Sequence, residues 1–219
     1  MILAAARALS RAINILRRMF AAAPRAPHLG YHRAMSPDAK ITSVVINRAP
    51  VLTLWAAIVA ERLGFARDEA LTLGKSMAGL NAQSKGRALG IFSAAGRGSA
   101  WRKRGELKPG ESLTVALLGR EVPALQTPDG VRATASGKPM SPSSVEHYLE
   151  SKFKESLAPA REAMETLADS LTPAELASGA MDVYAEFRPA IPAGKKGWGA
   201  AGVLDMEQIR ALAMKRRRS

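Results

Sequence analysis

The run Val51-Leu-Thr-Leu-Trp-Ala-Ala-Ile-Val-Ala-Glu-Arg-Leu63 limits the fold more than any other part of this chain. Pro50 stands where the first turn of a helix needs no N–H, and Gly64 stands just past the last apolar residue. That asymmetry brackets a helix over about 50–63. Val51, Leu52, Leu54, Trp55, Ile58, Val59 and Leu63 cover most of its circumference. A helix without a polar face must be enclosed by other elements, so this one is read as the centre of a core. It is too short to cross a membrane, and no apolar run elsewhere reaches the roughly 18 residues a span needs.

The next segment supplies the first partner. Asp68 and Glu69 suit the positive end of a helix dipole. Ala70, Leu73, Met77, Leu80 and Ser84 then recur on one face of a helix from about 67 to 85 or beyond. Inside it lies Gly74-Lys75-Ser76, the ending of a phosphate-binding loop. The full pattern requires glycine at 69, where Glu69 would repel phosphate, and it requires a strand-to-helix loop rather than a helix interior. Gly197-Trp198-Gly199-Ala200-Ala201-Gly202 matches a dinucleotide fingerprint, but no strand is read before it and 17 residues follow it. A βαβ unit does not fit there, and the segment reads as a Gly-rich loop tucking Trp198 into the core.

The remaining elements are read as follows. Ile41–Ile46 is a β-like run or an extended lead-in. Leu113–Leu118 and Glu121–Leu125 read as strands joined near Gly119-Arg120, with a third at Val131–Thr134. Pro123 marks the second as an edge or bulged strand, and Pro128-Asp129-Gly130 as a turn. Ser141-Pro142 starts a helix to about 154 with Val145, Tyr148, Leu149 and Phe153 inward. Further helices are expected at about 158–170 (Ala160, Ala163, Met164, Leu167) and 173–187 (Leu176, Met181, Tyr184, Phe187). The second of these opens on a Thr172/Glu175 capping box. After a Pro/Gly loop from 189 to 202, Asp205 and Gln208 cap a last helix to about 214. The fold class predicted is α+β and predominantly helical: a central helical hairpin, a small antiparallel β-sheet and a C-terminal helical group.

The net charge is +13, unevenly placed. Residues 1–33 hold six Arg and no acid, and Lys215-Arg216-Arg217-Arg218 close the chain. Residues 34–214 hold 22 basic and 19 acidic residues. On a helix over 2–20, Ile2, Leu9, Ile13, Leu16 and Phe20 oppose Arg7, Arg11 and Arg18. This Arg-rich, acid-poor amphipathic pattern resembles mitochondrial transit peptides. It implies a leader over 1–36, a single domain over 37–214 and a basic tail over 215–219. It also implies an organelle-matrix location. A misassigned bacterial start, with a cytoplasmic location, and a surface helix are the other readings.

Several chemistries lack material. There is no Cys and only three His, which excludes disulfides, thiolate nucleophiles and Cys-ligated zinc. His147, the one His of the body, reads as an ordinary, partly buried residue. Glu146, Glu150, Glu162, Glu165 and Asp169 recur at solvent-face spacing among Lys152, Lys154 and Arg161. No cofactor, metal or catalytic set is expected, and a binding role is favoured over an enzymatic one.

Ala56 to Lys75 resembles the helix-turn-helix pattern. Ala60 takes the small position, Gly64 the turn, and Val59, Leu63, Phe65 and Leu73 the apolar positions. The resemblance covers about a tenth of the chain and implies a nucleic-acid reader, DNA or RNA. Asp68-Glu69 stand where such readers present cations or amides. Asn81, Gln83, Lys85 and Arg87 follow in the same helix, then Arg97, Trp101, Arg102, Lys103 and Arg104 in a basic connection. Cations around an aromatic suit phosphate contact with base stacking. These nine residues are the candidate site, with Asn81 and Gln83 as base readers. The alternative is a protein-binding or assembly factor.

Overall fold

The computed structural model describes residues 41–88, 108–194 and 200–218, with side chains of the second helix to Ser84. β1 (Ser43–Asn47) leads into α1 (Arg48–Arg62) and then α2 (Arg67–Ala88). β2 (Ser112–Leu117), β3 (Arg120–Thr127), β4 (Gly130–Ala135) and β5 (Lys138–Pro139) form an antiparallel meander in that order. α3 (Pro142–Phe153), a 3₁₀ turn, α4 (Leu157–Ala168) and α5 (Pro173–Phe187) follow. β6 (Ala201–Asp205) then pairs antiparallel with β1, and α6 (Met206–Arg216) closes the chain. The helix-dominated α+β class expected from the sequence is the one observed.

α1 is enclosed as its sequence demands, with every residue from Pro50 to Ala60 buried. It ends in a Schellman motif. Gly64, at φ +90°, donates its N–H to Glu61 O and Phe65 donates to Ala60 O, both at 3.0 Å. A residue with a Cβ would be strained there. α2 then folds back along α1. A Cβ placed on Gly74 would stand 2.5 Å from Thr53 O and 2.8 Å from Ala57 N. The glycine that looked like part of a phosphate loop is thus the point where two helix backbones touch.

This contact lies some ten residues from the turn on each strand of the hairpin, so the helices run antiparallel rather than diverging as in a helix-turn-helix. Glu69 to Gly74, the would-be recognition surface, is buried throughout. The α2 N-terminus is occupied by the sheet. Glu69 accepts from Ala66 N at 2.9 Å through one oxygen and from Val131 N at 2.7 Å through the other. One turn later Thr72 Oγ1 accepts from Ala133 N at 3.1 Å and donates to Glu69 O at 2.9 Å. Side chains of a helix thereby cover donors on the β4 edge that no strand pairs, which removes an exposed template for aggregation. Thr72→Val keeps the shape and orphans the buried Ala133 N–H. It is expected to lower unfolding free energy by about 2 kcal/mol in urea titrations, with Thr72→Ser close to wild type.

Pro123 lies in an inner strand, not an edge one, and the pairing shows why it is tolerated. Gln126 exchanges backbone hydrogen bonds with Gly110 and Glu111 on the β2 side. Three residues earlier, Pro123 turns its nitrogen the other way, just beyond the last β3–β4 pair, Ala124↔Ala133. No ladder donor is missing. The β2–β3 turn is the two-residue Leu118-Gly119, both at positive φ (49° and 71°). This suits a right-twisted hairpin, and the unusual leucine is held by burial at 4% exposure.

β6 begins inside the Pro/Gly segment that the sequence marks as loop to 202. Its Ala-Gly-Val-Leu-Asp sequence is small and short, and its partner β1 lies about 158 residues away, so no local signal marks it. Gly202 permits the close approach of Ala190, which bridges the outer side of the strand through Val203. Asp205 caps α6 as expected, accepting from Glu207 N at 2.9 Å and Gln208 N at 3.2 Å. α6 runs on through Lys215 and Arg216, which therefore belong to the helix and not to a tail.

α3, α4 and α5 bury the residues expected of them, except that Tyr148 and Met181 are half-buried. The Thr172/Glu175 capping box is complete. Trp55 donates its indole N–H to Ala180 O at 2.8 Å and meets the Phe187 ring edge-on at 5.3 Å. Tyr184 donates to Arg48 O at 3.1 Å, and burial pushes its phenol up to about 12. Because the folded value is raised, this group costs no stability below about pH 10, where both states are protonated. Stability should then fall by roughly 2–3 kcal/mol as pH rises from below about 10 to above about 12, since the unfolded chain ionises first. Tyr184→Phe should flatten that limb of the stability–pH curve.

Candidate functional site

α2 changes character along its length. Beyond Ala78 it leaves the core: Gly79 and Gln83 are exposed, while Leu80, Asn81, Ala82 and Ser84 are half-buried. Its inner stripe continues to Ser84, whose hydroxyl accepts from Arg120 of β3 at 2.5 Å. The emergent half therefore lies against the β2–β3 turn. β2 begins at the far end of that hairpin, so the two anchors of the basic connection, Ala88 and Lys108, are separated by the length of the sheet.

The two candidate residues whose side chains are described do not share one surface. Asn81 and Gln83 are two positions apart, so they face about 160° from each other around the axis. Gln83 is exposed, and Asn81, half-buried, stands one turn before Ser84, which meets Arg120. Lys85 and Arg87 occupy the last turn of α2, with side chains beyond the described part. Arg97, Trp101, Arg102, Lys103 and Arg104 lie outside the described residues, as does Trp198. Arg120 was missed because only the chain's path across 36 residues brings it to Ser84.

The outward row of α2 carries a second feature. Lys75 Nζ stands 3.2 Å from the centroid of the Tyr148 ring of α3. The ring face favours the ammonium. Burial, and then the charge of Lys152, oppose it and hold Lys75 below the usual lysine range. Burial likewise raises the Tyr148 phenol. His147, beside it on α3, is 85% exposed rather than partly buried, and its Nδ1 stands 3.9 Å from Glu150 Oε2.

Charge is segregated around this end of the helix. Residues 70–105 carry seven basic residues and no acid, whereas 34–69 and 106–214 together carry 15 basic against 19 acidic residues. On the helical group several cations are engaged by carboxylates: Arg62 by Asp169 (2.7 Å), Arg67 by Glu146 (2.8 Å), Arg161 by Glu61 and Glu165 (both 2.7 Å) and Arg216 by Glu186 (2.7 Å). Arg216 and Glu186 line an open groove of about 440 Å³ with Ser170, Glu175, Leu212 and Lys215. There Arg216 is engaged by Glu186, and the Glu175 carboxyl is held low by its bonds to Thr172.

Among the described residues no three His, Cys, Asp or Glu side chains converge as a metal site, and no helix is long and apolar enough to cross a membrane. No protein-family model, curated protein or solved structure matches the chain.

Proposed function

We propose that this protein is a nucleic-acid-binding accessory protein that holds a phosphate backbone against the emergent half of α2 and the basic connection after it. The observation that supports this reading most is the segregation of charge. Residues 70–105 hold seven cations and no acid, and six of the seven follow the point where α2 leaves the core, in a body that is otherwise net acidic. Such a patch attracts a polyanion and repels nothing it needs to approach. Lys85, Arg87, Arg97, Arg102, Lys103 and Arg104 contact phosphates, Trp101 offers a stacking face, and Gln83 is the exposed amide that meets a base edge. Asn81, on the other flank, works beside Arg120.

The test is retention of the full chain on immobilised duplex and single-stranded nucleic acid. Binding at about 50 mM salt that weakens by about 10³ or more at 200 mM is expected for six or more phosphate contacts. No retention at the lower salt overturns the proposal.

A second reading, a protein-binding or assembly factor, rests on Val45 and Val203. They face each other across β1 and β6 and are 71% and 48% exposed. It predicts a defined oligomer or a stoichiometric partner, and a monomer that co-purifies with nothing counts against it.

A further inference from the structure

β1 has an edge that no strand covers among the described residues. Val203 of β6 exchanges backbone hydrogen bonds with Ala190, at 3.1 and 3.3 Å, so the odd-numbered residues of β6 turn their N–H and C=O groups away from β1. The even-numbered ones hold the β1–β6 ladder, in keeping with the bond from Met206 N to Thr42 O at 2.8 Å. On β1, then, Val44 and Ile46 bond towards β6. Ser43 and Val45, with the N–H of Asn47, turn to the opposite edge, and no described residue bonds to them there. The edge is also unguarded. Ser43-Val44-Val45-Ile46-Asn47 carries no charge, and Val45 is 71% exposed. The same chain covers its β4 edge with Glu69 and Thr72. An open apolar edge is a template for another strand.

We propose that this edge is completed by the β1 edge of a second copy of the chain, antiparallel about a two-fold axis through Val45. The proposal rests on the second reading above, names its partner, and does not depend on nucleic-acid binding. The edge is complementary to itself. Val45 exchanges both backbone bonds with Val45 of the partner subunit. Ser43 stands opposite Asn47 of the partner subunit, a hydroxyl against an amide that makes no cap bond to its own helix. No charged residue lies in the paired strands to oppose a like charge. On the exposed face Val203 lies beside Val45, so the pairing sets four valines in one row across a four-stranded sheet. Ala190 already bridges the outer side of β6, so the β1–β6 ribbon has one free edge and the assembly closes at two. A five-residue edge is a small contact, which makes the dimer weak and concentration-dependent.

The experiment measures sedimentation and amide hydrogen exchange of the full chain at about 10 µM and about 500 µM, a span suited to so small a contact. The expected result is a dimer at the higher concentration. There the Val45 N–H exchanges several-fold more slowly than in the dilute chain, while the Ile46 N–H, bonded towards β6, is protected in both. Val45→Pro removes the central donor of the new pair and spares the β6 ladder, since proline is tolerated where an edge N–H faces water. Val45→Lys sets two ammonium groups together at the axis and changes only an exposed side chain, so it serves if the proline variant does not fold. Both should abolish the dimer. A dimer that survives both Val45 variants but is lost in Val203→Lys uses the face and not the edge. That overturns the proposal and leaves the assembly reading standing. A chain that stays monomeric at both concentrations overturns it too, and a stoichiometric foreign partner on that monomer keeps the assembly reading. Val45 protected in a dilute monomer means that the chain covers its own edge, which also overturns it.

Discussion

Trp55→Ala should lower the unfolding free energy by about 4 kcal/mol, a large part of the 5–15 kcal/mol typical of a domain. Trp55 is fully buried in the helix against which α2, α3, α4, α5 and β1 pack. Truncation empties the centre of the core, removes the edge-on contact with Phe187 and deletes the hydrogen bond to Ala180 O. Trp55→Phe separates the terms. It keeps most of the apolar volume and loses the N–H, so about 1–2 kcal/mol is expected. Urea denaturation of both variants measures the pair. Equal losses would mean that the hydrogen bond, not the ring, carries the effect.

The second large effect turns on one methyl group. In an ordinary exposed helix interior, Gly→Ala gains up to about 1 kcal/mol. At Gly74 the new Cβ would meet Thr53 O and Ala57 N, both backbone atoms of α1 that no side-chain rotation can move. The helices must part, at an overpacking cost of about 3 kcal/mol. Gly74→Ala should therefore destabilise by about 2 kcal/mol net, after the propensity gain is subtracted. Gly79→Ala, the same change one turn on in open space, should stabilise by about 0.5–1 kcal/mol. Opposite signs in one helix test the hairpin packing directly, and a neutral Gly74→Ala would contradict it.

These two sites also show what the sequence made legible. Trp55 announced itself, because a helix apolar on all sides has only one place to go. The strands and caps were equally local: Pro128-Asp129-Gly130, Thr172 with Glu175 and Asp205 carry their own geometry. Gly74 was different. Its spacing excluded a phosphate loop, but its reason for being glycine lies in a backbone 17 to 21 residues earlier. Glu69 was read against the wrong partner for the same cause. It looks misplaced on a DNA-reading helix, and becomes intelligible only when Val131 arrives from 62 residues away. β6 depended wholly on a distant strand. At the candidate site the emergence of α2 from the core near Asn81 followed from the end of its apolar stripe. The contributions of Arg120, Tyr148 and Lys152 did not, since each comes from another element.

The central claim is that the acid-free stretch beginning on α2, and not the cationic C-terminal end, holds nucleic acid. The most direct measurement is the slope of log affinity against log salt for the full chain, compared with two charge-neutralised variants. One carries Gln at Lys85, Arg87, Arg97, Arg102, Lys103 and Arg104; the other carries Gln at Lys215, Arg217 and Arg218. The account predicts that the first variant loses about 3–5 units of slope and most of its affinity, while the second changes little. An unchanged slope in the first variant, or a larger loss in the second, would contradict it.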